Sequence, residues 1–148
     1  MIDRFERFSF AISEISRYWH KIAADVMEEH GLKGPYAVYF TTMYQYPAGI
    51  TAARLAELCS RDKADVSRAV TVMEKKGLVE KEPVNQNQYR ALLKLTEEGM
   101  ALAEHINDKA MTAVDFGGQG VTPEHREIFY RCLETIAGNL QRLSKEGL

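Results

Sequence analysis

With 148 residues, 45% of them hydrophobic and 27% charged, the chain falls in the ordinary globular range and is expected to fold as one main unit. No apolar run approaches the roughly 20 residues that span a bilayer, and the charged start Asp3-Arg4-Phe5-Glu6-Arg7 is unlike a secretory leader, so no membrane partner and a cytoplasmic location are expected. The net charge of −2 says little about partners when averaged, but residues 60–94 hold eight basic against five acidic side chains, a local balance of +3.

Apolar side chains at Phe5, Phe8, Ile12, Ile15, Trp19, Ile22 and Val26 recur at alternating spacings of three and four, which places one stripe along a helix. At 1.5 Å per residue that helix is about 40 Å long, more than a domain this small can cover, so the stripe calls for a second chain. Gly31 and Gly34-Pro35 end it and open a second, aromatic helix carrying Tyr36, Tyr39, Phe40, Tyr44 and Tyr46 as far as Pro47. Thr51 is a good N-cap for a short helix through Leu55 and Leu58 to Cys59.

After a tight turn at Ser60-Arg61, Asp62 caps the next helix, with Asp65 at the third position as an acidic variant of the capping box. Val66, Val70 and Met73 share the core side of that helix. The opposite face holds Ala64, Arg68, Thr71 and Lys75, with Ser67 at its edge and Lys63 at its tip. Small residues allow close approach to a major groove, Arg68 can pair bidentately with a guanine edge, and Thr71 can meet a phosphate or a thymine methyl. The preceding helix, beginning at Thr51, would lie across it and offer backbone amides to a phosphate.

Gly77 closes the helix, and two β-prone stretches, Leu78 to Glu82 and Arg90 to Leu95, flank a polar tip over residues 83–89. Two helices followed at once by such a hairpin form a winged helix. Arg90, beside the tip, and the amide of Gln88 are the candidates for a minor groove; a charge that protects the strand edge is the competing reading of Arg90. Thr96 with Glu97, Glu98 and Gly99 opens a helix whose face is Leu102, Ile106, Ala110 and Val114, broken by residues 116–120. Thr122 caps the last helix, with Pro123 in its first turn, and Phe129, Leu133, Ile136, Leu140 and Leu143 repeat the one-sided pattern of the N-terminus.

The fold class is therefore mostly α with a small β-hairpin wing. Residues 34–99 form the winged helix-turn-helix lobe, and residues 1–33 and 100–148 supply dimerisation helices within a single 148-residue regulator. Trp19, Tyr36, Tyr39, Phe40 and Tyr44 cluster near the junction of the first two helices. They read either as dimer-core packing or as the wall of a pocket for a small aromatic ligand, since each buried phenol needs a polar partner.

The four histidines, His20, His30, His105 and His125, share no ligand spacing, so no metal is expected. Cys59 and Cys132 read as small buried hydrophobes. No nucleophile–base arrangement or phosphate-binding loop is visible, which argues against an enzyme and gives no reason to expect a cofactor.

Three runs, D-K-A-D-V-S-R from Asp62, E-K-K-G-L-V from Glu74 and L-T-E-E-G from Leu95, make the chain resemble the MarR family of bacterial transcription regulators. The resemblance covers the whole chain in layout and is specific over residues 51–99. It implies a homodimer whose first, fifth and sixth helices interlock and hold two recognition helices and two wings against a pseudo-palindromic site on double-stranded DNA. It also implies repression of nearby genes, relieved when a small, often aromatic effector binds at the junction of dimer and DNA-binding regions. Asp62, Lys63, Ser67 and Arg68 match the family's recognition-helix pattern. The wing departs from it: the family has an acidic residue, any residue, then arginine at the tip, whereas this chain has Asn87-Gln88-Tyr89 and Arg90 one place later. Either the loop is shifted by a residue or the minor groove is met by amides. Alternatives outside DNA binding are a dimer that acts as a protein-interaction module or only as a small-molecule binder.

Overall fold

A computed structural model describes residues 3–85 and 87–147; the side chains of residues 87–90 lie outside the description. The elements run α1 (Arg4–Glu28), a 3-10 turn (Gly34–Tyr36), α2 (Ala37–Tyr44), β1 (Ile50–Thr51), α3 (Ala52–Cys59), α4 (Lys63–Lys75), β2 (Val79–Val84), β3 (Asn87–Leu95), α5 (Glu97–Gly117) and α6 (Pro123–Glu146). The mostly helical class with a small sheet expected from the pattern is what the chain adopts. No described helix is long and apolar enough to cross a membrane.

Two compact units divide the chain within α5, at Ala110 and Met111. The first holds a core of apolar side chains among which Met27, Phe40, Met43, Leu55, Val66, Met73 and Leu93 are fully buried. α1 enters this core near its C-terminal end, burying Val26 and Met27 with Ala23 packed against them. Gly31, at φ +66°, ends α1 in the left-handed conformation that favours glycine, and the Leu32 N–H bonds back to the Met27 carbonyl at 3.0 Å. In the second unit, α6 is capped by the Thr122 hydroxyl, which accepts from the His125 N–H at 3.2 Å, and it buries none of its residues in the single chain.

Three details differ from the sequence reading. The sheet has three strands in the order β1-β3-β2, because Ile50 and Thr51 pair antiparallel with Leu93 and Leu92. A two-residue strand is too short to show a periodicity of two. The wing strands extend farther than expected, with Val84 opposite Asn87, so Gln88 belongs to β3 rather than to the tip, in the same strand as Arg90. Pro83, placed in the tip by the sequence, lies within β2 at an irregularity in register between Glu82 and Val84, the kind of position at which a strand tolerates proline. Finally, α5 runs through Phe116 and Gly117 before the chain turns.

Candidate nucleic-acid interface

The α3–α4 pair is built from local chemistry. Thr51 caps α3, its hydroxyl accepting from the Arg54 N–H at 3.2 Å. Ser60 takes the left-handed conformation at φ 52°, and the Arg61 N–H reaches back to the Ala56 carbonyl at 3.0 Å, which reverses the chain in three residues. The Asp62 carboxylate then accepts the Asp65 N–H at 2.8 Å and opens α4. Asp65 does not complete a capping box, because its carboxylate is held by the Arg68 guanidinium one turn along.

Val66, Ala69, Val70 and Met73 of α4 are buried, while Lys63, Ala64, Ser67, Arg68, Thr71 and Lys75 are all exposed on the other side. The Thr71 hydroxyl donates to the Ser67 carbonyl at 3.0 Å. Thr51 is half-buried, with its hydroxyl engaged as the cap, so its contribution to a surface lies in the α3 amides it leaves at the helix start. At the wing base, Lys81 pairs with Glu74 of α4 at 3.2 Å, and Lys94 pairs with Glu82 across the hairpin. Asn85, at φ 52°, makes the turn. The side chains of Gln88 and Arg90 fall outside the described residues.

The five aromatic candidates separate into different surroundings. Trp19 lines a cavity of about 320 Å³, together with Ala23, Val38 and Ile106 and the polar groups of His20, Thr41, Cys59, Arg61 and Lys109. Phe40 is fully buried in the core, and Tyr39 nearly so. Burial raises the Tyr39 phenol above its ordinary pKa, the charge of Arg61 opposing the shift. Tyr36 and Tyr39, with ring centroids 6.0 Å apart, border a separate cleft that also includes Arg61, Asp65 and Arg68. The Tyr44 hydroxyl donates to Glu104 at 3.5 Å.

Sequence reasoning missed His20, Arg61 and Lys109 as cavity residues. They come from three elements, and helical periodicity relates only residues on one element. Arg61 borders both hollows and had a usable signal, being a basic residue in the turn before α4. The expectation that both cysteines are buried is corrected at Cys132, which is exposed on α6, a helix with no buried residue among those described. Cys59 is half-buried, its thiol donating to the Thr42 hydroxyl at 3.4 Å.

The MarR family model matches residues 30–88, the stretch that holds α2 to the start of β3. An uncharacterised HTH-type transcriptional regulator of Bacillus subtilis, YybA, is 27% identical over 110 residues, covering 74% of this chain and 72% of that protein. Among solved structures, a MarR family transcriptional regulator from Listeria monocytogenes in complex with 26-mer DNA superposes with a TM-score of 0.81 at 23% identity, over 99% of this chain and 97% of its own. A MarR transcriptional regulator from Methanosarcina mazei gives 0.80 at 20% identity, over 97% and 94%. At those identities the structural likeness speaks for the fold. The matched lobe and the relative agree with the motifs from Asp62 to Gly99: over residues 30–88 the chain is similar to the MarR family of transcriptional regulators.

Proposed function

We propose that the protein is a homodimeric, cytoplasmic repressor that binds a pseudo-palindromic site on double-stranded DNA, with α4 in the major groove and the wing at the adjacent minor groove. The observation that carries this reading is the exposed row Lys63, Ala64, Ser67, Arg68, Thr71 and Lys75, small or basic along its length and uncovered by the rest of the chain. The DNA-bound Listeria relative supports it. The Arg68–Asp65 pair holds the guanidinium along the helix, and both side chains are largely exposed, so the pair is weak enough to exchange for a guanine edge.

Dimerisation is supported by the apolar side chains left in water on the two terminal helices. Phe5, Phe10 and Ile15 of α1 are exposed at 70, 68 and 59%, and Ile128, Phe129 and Leu140 of α6 at 51, 47 and 52%.

In a gel shift with DNA from the protein's own promoter region, Arg68→Ala is expected to weaken specific binding roughly 5- to 150-fold, about 1–3 kcal/mol, and to relax base preference once in each half-site. Lys75→Ala should weaken all sequences alike and flatten the salt dependence by about one unit per contact. Binding of a monomer, or an unchanged preferred sequence in Arg68→Ala, refutes the placement of α4.

The Trp19 cavity supports regulation by a small aromatic acid, whose ring would lie among Trp19, Ala23, Val38 and Ile106 and whose carboxylate would meet Arg61 or Lys109. Such a ligand acts by binding better to the dimer whose recognition helices are wrongly spaced for DNA. Benzoate-type acids are expected to quench Trp19, the only tryptophan, and to weaken DNA binding over the same concentration range. By linkage, DNA must weaken the acid's binding by the same factor. Quenching that saturates with DNA affinity unchanged rules out the switch.

A further inference from the structure

Outside the DNA-binding surface and the Trp19 cavity, the fold gathers Glu29, His30 and His105 into one cluster. Their potential ligand atoms all lie within 4.8 Å of one another, the sole such grouping among the described residues. His105 Nε2 is 3.6 Å from the Glu29 carboxylate, and the two imidazoles meet edge to face with centroids 6.0 Å apart.

We infer that Glu29, His30 and His105 form a binding site for a divalent transition-metal ion of the zinc type.

Two imidazoles and one carboxylate suit zinc, cobalt or nickel, whereas calcium and magnesium take oxygen ligands almost alone. Tetrahedral zinc needs ligand atoms about 3.3 Å apart, given Zn–N bonds of about 2.0–2.1 Å. Glu29 and His30 are exposed and His105 is half-buried, so side-chain rotation suffices to contract the cluster to that size, leaving a fourth position for water. The site also lies at the C-terminal end of the 25-residue α1, where the helix dipole favours a cation. A metal here would bridge the end of α1 to α5, joining residues some 75 positions apart in sequence. The inference does not depend on the DNA reading.

The test is zinc titration of the untagged, full-length protein by calorimetry, with cobalt absorption as an independent readout. Binding of a single zinc ion per chain is expected, together with visible cobalt bands in the range of nitrogen and oxygen ligation and a melting temperature that rises with free zinc. His30→Gln, His105→Gln and Glu29→Gln should each weaken zinc roughly tenfold or more and lose the cobalt bands. All three replace side chains at least partly in solvent, and circular dichroism verifies folding. Wild-type affinity retained in the His30→Gln/His105→Gln double variant would assign the ion to His20, His125 or Cys132 and overturn the proposal. So would the absence of saturable zinc uptake by the wild-type chain.

Discussion

Gly99→Ala is expected to destabilise the protein by about 3 kcal/mol, the upper part of the range for overpacking, although alanine within a helix ordinarily gains about 1 kcal/mol over glycine. The sign reverses because a Cβ at Gly99 would stand 2.0 Å from the Leu78 carbonyl oxygen and 3.0 Å from its carbon. Both are backbone atoms, so no rotamer change relieves the clash. That carbonyl also accepts the Thr96 N–H at 3.1 Å, and any shift that makes room for a methyl group pulls on the bond that closes the wing against α5. Urea unfolding followed by circular dichroism measures the effect at equilibrium. A stability equal to or above that of the wild type would mean that α5 does not sit on Leu78 as described.

Phe40→Ala should cost about 3–5 kcal/mol, as expected for deleting a large side chain from a packed core. Phe40 has no exposed surface and belongs to the core that it forms with buried residues of α2, α3, α4 and α5. Had the ring lined a ligand pocket, its removal would enlarge that pocket at small cost to stability and change ligand affinity first. Thermal unfolding together with the Trp19 titration separates these outcomes. A loss below about 1 kcal/mol would return Phe40 to the pocket wall.

The helices were legible because each carries its own punctuation. Thr51, Asp62, Thr96 and Thr122 all accept the N–H three residues on, and Gly31 and Gly77 sit at positive φ where α1 and α4 end. The division of α4 into a buried and an exposed side followed from its spacing, with Ala69 the added core member. What escaped was long-range. β1 exists only because Leu92 and Leu93 lie beside it, and the hairpin continues past Pro83 because a register shift absorbs the missing donor. The aromatic run from Tyr36 to Tyr44 looked like one surface, yet a helix distributes consecutive positions around its axis: Phe40 went fully inward, while Tyr36 and the nearly buried Tyr39 border a cleft. His30 and His105 had no spacing to betray them, being partners only through the packing of α5 near the end of α1.

The Thr96 hydroxyl donates to the Gly77 carbonyl at 2.6 Å and accepts the Gly99 N–H at 3.1 Å, so a single oxygen both closes α4 and opens α5. Everything from Leu78 to Leu95 is thus an excursion that leaves and rejoins the helical frame at one spot. A hairpin anchored in this way can change its length or its tip without moving the helices on either side, because the distance between its ends is fixed by the anchor. Sequence changes can therefore retune the wing as an exchangeable insert without disturbing α4, and the Asn87-Gln88-Tyr89-Arg90 run lies within that insert.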